Sequence, residues 1–184
     1  IRWPDGTVFT AQQDTDAMRA EVARIEPRDV AGFDRFLEDS AKRYWFGFED
    51  LGRRSMHKFM DLAKVLHIFG MLRADRSVYA HAAKRFRNEK LRMAFSFHPL
   101  FIGGDPCHVT SMYILVSYLE KEFGVHYAMG GLAHMARKMG DVVEAQGGTL
   151  LMDTEVDEIV VRDGKAQGVR LASGLELVAD VVVS

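Results

Sequence analysis

Val156-Asp157-Glu158-Ile159-Val160-Val161-Arg162-Asp163-Gly164-Lys165-Ala166-Gln167-Gly168-Val169-Arg170-Leu171 is the stretch from which the fold is read. Two runs flank Asp163-Gly164, a dipeptide suited to the positive-φ turns of tight hairpins. A second turn signal, Ser173-Gly174, follows. Strands are expected over 149–152, 156–162, 166–171 and 178–183, joined as a β-meander. Upstream, Gly130-Gly131 opens a helix running to about Gln146, with Leu132, Met135, Met139, Val142 and Val143 facing inward, and Gly147-Gly148 closes it. A short strand is expected over 125–128.

Before Gly124 the pattern is helical. Ile1-Arg2-Trp3 and Val8-Phe9-Thr10 flank Pro4-Asp5-Gly6-Thr7, which reads as a β-hairpin. Asp14 or Thr15 caps a helix to about Ala23, broken by Glu26-Pro27. Asp29 caps a second, whose apolar face is Phe33, Phe36, Leu37, Tyr44 and Trp45. A third helix is expected over 56–72. Ser77 and Asn88 start short ones, the second carrying Leu91, Met93, Ala94, Phe95 and Phe97. Thr110 or Ser111 caps a long one ending near Gly124. The expected class is α+β: a helical region with a hairpin over residues 1–123, then a helix and β-meander over 124–184.

Hydrophobic residues make up 48% of the 184 and charged residues 27%, the range of an ordinary globular protein. A formal charge of -2 gives no basic balance for nucleic acid, so no nucleic-acid partner is expected. One cysteine, Cys107, excludes an internal disulfide and suits a reducing, cytoplasmic setting. The 7 histidines show no ligand spacing, so no metal is expected. No apolar run reaches the roughly 18 residues of a membrane span. The chain lacks an initiating Met and stops inside a strand-like run, which leads us to expect a piece of a longer protein.

Three strings carry the reading further. They are Phe95-Ser96-Phe97-His98-Pro99-Leu100-Phe101-Ile102-Gly103-Gly104-Asp105-Pro106; Ser111-Met112-Tyr113-Ile114-Leu115-Val116 with Tyr118-Leu119-Glu120-Lys121-Glu122-Phe123-Gly124-Val125; and Tyr127-Ala128-Met129-Gly130-Gly131 followed by Gly147-Gly148 and Thr154-Glu155-Val156-Asp157-Glu158-Ile159. In order and spacing they resemble bacterial-type phytoene desaturases, which are similar to amine oxidases. The resemblance implies an FAD-dependent dehydrogenase of a long apolar carotenoid. Residues 1–123 would then belong to the substrate and helical region, and 124–184 to part of the FAD domain. The Gly-x-Gly-x-x-Gly fingerprint of the nucleotide-binding unit has no match here, so the chain alone is not expected to hold FAD tightly.

The resemblance also implies site residues. Val156, after Thr-Glu, would meet the FAD adenine through its backbone; the plain alternative is a strand valine. Gly130 and Gly131 would line the cofactor site where glycine permits close approach, against a simple strand-to-helix turn. Asp61 matches an acidic position near the reacting end, against a solvent-facing helix aspartate. Met and Phe over 56–101, including Met56, Phe59, Met60 and Phe69, are core residues that would also suit a polyene channel. Lys58, Lys64, Arg73, Arg76, Lys84, Arg85 and Arg87 among them suggest peripheral docking on the inner face of a membrane, against a solvated charged face. A desaturase of a modified carotenoid, or a non-catalytic lipid-docking module, are the alternative functions.

Overall fold

The structure, a computed structural model, describes residues 1–55 and 57–184, with Phe59 and Leu62 described by backbone alone. The chain forms two compact units, Ile1–Val125 and His126–Ser184. Among the described residues no helix is long and apolar enough to cross a membrane.

The first unit is built around one helix. α1 (Thr15–Ile25) is capped by Asp14, whose carboxylate accepts from Ala17 N at 2.8 Å. α2 (Val30–Tyr44) buries Phe33, Phe36, Ser40, Arg43 and Tyr44, a stripe at three- and four-residue spacing. Around it the aromatic core closes: Phe86 stacks on Phe95 at 4.6 Å, and Phe36 lies 5.5 Å from Phe86 and 5.4 Å from Phe95. α3 (Phe59–Met71) follows a wide π turn at Trp45–Asp50 that the sequence did not announce. The helix start expected at Met56 lies outside the described residues.

α4 (Val78–Arg85) and α5 (Glu89–Ala94) are short helices capped by Ser77 and Asn88. Phe95 and Phe97 fall beyond the end of α5, because the chain turns into a 3-10 segment at His98–Ile102. The long helix expected from Thr110 begins instead as a 3-10 turn, Ser111–Ile114, and becomes α6 (Leu115–Phe123). Gly124 ends it at φ +75.

Two carboxylates fasten α2 to its neighbours. Asp29 does not cap its own helix as expected. It is 1% exposed and its oxygens accept from Arg87 N at 2.8 Å and Asn88 N at 2.9 Å, satisfying amides that enter α5. Ten residues on, Asp39 meets His81 Nε2 at 2.9 Å and Arg85 Nε at 2.8 Å. Burial raises the pKa of Asp39, but hydrogen bonds from His81 and Arg85 outweigh it and hold the group at about 2, below the free value of 3.8. Its stabilisation is therefore complete above about pH 4 and is lost as pH falls through 2. Asp39→Asn is expected to cost roughly 1–2 kcal/mol at neutral pH after discounting for solvent screening. Urea titrations should show the gap between variant and parent closing as the pH approaches 2.

The hairpin at the start is short: Arg2 and Val8 form a single bridge, with Trp3 N donating to Thr7 O and Phe9 N to Ile1 O, both at 2.9 Å.

In the second unit α7 (Leu132–Ala145) precedes a three-stranded antiparallel sheet, β1 (Val156–Arg162), β2 (Lys165–Leu171) and β3 (Glu176–Val178), in the order β1-β2-β3. Arg162 pairs with Lys165 across Asp163 and Gly164, both at positive φ, as a two-residue hairpin turn requires. Three strand expectations are corrected. Residues 125–128 and 149–152 form no strand, and β3 ends at Val178 instead of starting there. Within this unit the β-rich runs lack a neighbouring ladder, and propensity alone does not make a strand. The face of α7 expected to point inward is also corrected: Leu132 is 73% and Met139 64% exposed, because the short sheet buries only Val160, Gly168 and Leu171.

Candidate functional site

Unit Ile1–Val125 holds a cavity of about 510 Å³. Phe9, Met18, Phe33, Phe36, Phe95 and Phe97 give it a largely aromatic wall. These side chains come from the hairpin, α1, α2 and the segment after α5, so the same packing that forms the core also shapes the cavity. Gln12, Gln13, Thr15 and Lys121 add polar groups to the lining, and one buried polar cluster stands among the aromatics. His98 is buried, its Nε2 lies 2.9 Å from Glu120 Oε2, and Ser117 Oγ lies 3.5 Å from Nδ1. Ser117 and Glu120 stand one turn apart on α6 and so face the same ring. No role was assigned from sequence to His98 or to its two partners. Their three-residue spacing on an amphipathic helix was the available signal. A mostly apolar cavity with one fixed polar pair suits an elongated apolar ligand.

Unit His126–Ser184 carries the other expected positions. Gly130 and Gly131 sit in succession at φ +85 and +83. Gly131 is the N-cap of α7 and offers no side chain to it, so the helix opens on bare backbone. A Cβ on Gly130 would meet His134 Cβ at 3.1 Å, a tight contact that His134 would have to relieve by a few tenths of an ångström. An uncapped helix entry at a left-handed glycine pair fits a phosphate-bearing cofactor. Val156 is the first residue of β1, half exposed and paired with Leu171. Its peptide group is thus placed at a strand head, where a nucleotide base could be read by backbone alone.

Asp61 lies in the other unit, in the first turn of α3, its side chain 34% exposed and 3.5 Å from Lys64 Nζ. An acid in the first turn is also favoured by the helix dipole. Gly130, Gly131 and Val156 therefore share one unit and Asp61 belongs to the other. Among the described residues no group of three or more His, Cys, Asp or Glu side chains could hold a metal ion.

The chain is 69% identical over 184 residues to a phytoene desaturase (neurosporene-forming) of Cereibacter sphaeroides, covering all of this chain and 36% of the relative. It is 60% identical to the phytoene desaturase (neurosporene-forming) of Rhodobacter capsulatus, covering 35% of that protein. A lycopene-forming phytoene desaturase of a Paracoccus species is 34% identical, again over the whole chain and 37% of the relative. The chain thus spans about a third of the length of the curated relatives it matches. Residues 2–184 match the family described as flavin containing amine oxidoreductase, and the chain belongs to that family.

Proposed function

We propose that the protein is an FAD-dependent desaturase that removes hydrogen from phytoene or a related carotene. The observation that carries this reading is the 69% identity, unbroken over the whole chain, to a neurosporene-forming phytoene desaturase. The unit Ile1–Val125 acts as substrate wall and His126–Ser184 as part of the cofactor cradle. FAD, when bound, supplies the acceptor for the hydrogen removed. Gly130 and Gly131 give it a close backbone approach, and Val156 meets its adenine through the peptide N–H and C=O. The aromatic cavity aligns an apolar chain and excludes water from it. Asp61 takes the role of proton acceptor, which requires its carboxylate to be shielded from solvent on substrate binding.

The substrate is a membrane hydrocarbon, so the enzyme works docked on a bilayer without crossing it. Exposed Met60, Leu66 and Met71 of α3, with Lys64 beside them, supply an apolar and basic helix surface of the kind that docks there.

Full-length protein purified with FAD is expected to convert phytoene anaerobically with bleaching of the flavin. A protein that bound FAD but left phytoene unchanged would sink the substrate assignment; one that bound no flavin would sink the cofactor cradle. Within that assay Val156→Pro is the sharp variant. It removes one amide donor at the first residue of a strand, where proline is tolerated. It is expected to weaken FAD retention about tenfold, the worth of a hydrogen bond of 1–1.5 kcal/mol, while Val156→Ala leaves it unchanged. Equal effects of the two would place the contact on the side chain and overturn the backbone role.

A further inference from the structure

A second cavity, of about 310 Å³, lies on the opposite kind of chemistry. Lys42 and Arg43 reach it from the end of α2, Arg73 and Arg76 from the turn after α3, and Lys84 and Arg85 from the end of α4. Six cations thus surround one carboxylate, Asp39, and that carboxylate is already committed to Arg85 and His81. Arg73 turns outward onto Asp75 at 2.8 Å. Among the described residues Lys42, Arg76 and Lys84 form no ion pair.

The deepest cation is not fully satisfied. Arg43 is 3% exposed; its Nη1 donates to Asp39 O at 3.0 Å and its Nη2 to Leu72 O, but Nε is buried with no partner. His81, also lining the cavity, has a buried Nδ1 with no partner. Partial desolvation, followed by repulsion from Arg76, Arg73 and Arg85 and opposed by Asp75, lowers the pKa of Lys84. Burial also lowers that of Arg43, with Arg85 adding to it against Asp39. Like charges converge here at a cost to the folded chain, and a solvated charged face would spread them apart. An anion in the concavity offsets that cost.

We propose that this cavity binds a phosphate group, carried there as the headgroup of an anionic phospholipid. Arginine and lysine together are the usual phosphate donors. The lipid source follows from the rim. Met71, 71% exposed, lines the same cavity and ends α3, whose Met60 and Leu66 are also exposed. An apolar helix surface beside a basic hollow matches the boundary between acyl chains and headgroups. The choice of lipid as carrier rests on the membrane-docking reading above; the anion site itself does not depend on flavin or on catalysis.

The test is flotation of the full-length protein with vesicles of phosphatidylcholine alone and of phosphatidylcholine mixed with phosphatidylglycerol. Binding is expected to be tighter to the mixed vesicles and to weaken with salt. R76Q/K84Q, which removes two side chains without an ion-pair partner, should lower binding to the mixed vesicles on the order of tenfold and leave binding to phosphatidylcholine unchanged. R76K/K84R keeps the charges and should restore it. Equal binding to both vesicle types, with R76Q/K84Q silent, would leave apolar docking standing and overturn the phosphate site. Broadening of the inorganic phosphate 31P line by the parent but not by R76Q/K84Q, without any preference for the anionic vesicles, would overturn the lipid source. Binding to neither vesicle would overturn the docking itself.

Discussion

Gly32→Ala is expected to destabilise the Ile1–Val125 unit by about 3–5 kcal/mol, a loss in the rare upper tail for a single methyl group. On an isolated helix the change would gain about 1 kcal/mol, since alanine is the better helix former. Here the added Cβ would lie 1.9 Å from the backbone oxygen of Arg85 and 3.0 Å from its carbonyl carbon. A backbone oxygen cannot swing aside as a side-chain tip can, so α2 and α4 must separate. The two carboxylates that tie α2 to this part of the chain flank Gly32, with Asp29 on Arg87 and Asn88 and Asp39 on His81 and Arg85. Pushing the helices apart stretches the hydrogen bonds at both. Both tryptophans, Trp3 and Trp45, lie in this unit, so their fluorescence follows its unfolding in urea. A midpoint lowered by about 2 M is expected. A raised midpoint would mean that helix propensity wins and that the contact is soft.

Phe36→Ala comes next, with an expected loss of about 3–5 kcal/mol. Phe36 is 0% exposed and its ring meets His81, Phe86 and Phe95 at centroid distances of 5.4–6.1 Å. It also forms part of the wall of the 510 Å³ cavity, so truncation opens the core and enlarges the ligand space together. Phe36→Leu restores most of the volume and is expected to recover more than half of the loss. If the cavity takes an apolar chain, adding that ligand should return part of the lost stability to Phe36→Ala. Thermal unfolding of the full-length protein with and without a carotene measures both effects.

The sequence made some of this legible. The Phe33–Phe36–Tyr44 stripe announced α2, and Asp163-Gly164 announced the β1–β2 hairpin, because a local periodicity or a turn chemistry specifies each. Caps at Asp14, Ser77 and Asn88 were readable for the same reason. Asp29 was not. Its residue type suits a cap, but its carboxylate serves amides nearly sixty positions away, which no local window contains. The strands expected over 149–152 and 178–183 had the right composition, but a strand needs a partner ladder as well as β-branched side chains. The glycines and Val156 were singled out through family resemblance, since a backbone contact leaves almost no mark in side-chain chemistry. The basic cavity was half visible. Its Lys and Arg residues were noticed from Arg73 to Arg85, but Lys42 and Arg43 join them only when α2 folds against α4.

The Asp29 bond joins positions 58 residues apart, and this governs the order of assembly. While the chain is being synthesised, α1 and α2 emerge long before Arg87 and Asn88 exist to receive that carboxylate, and before Phe86 and Phe95 can cover Phe36. The nascent helices α1 and α2 therefore wait with a greasy flank and an unneutralised acid, open to chaperones or to premature sticking, until the ribosome has delivered the segment around Phe95.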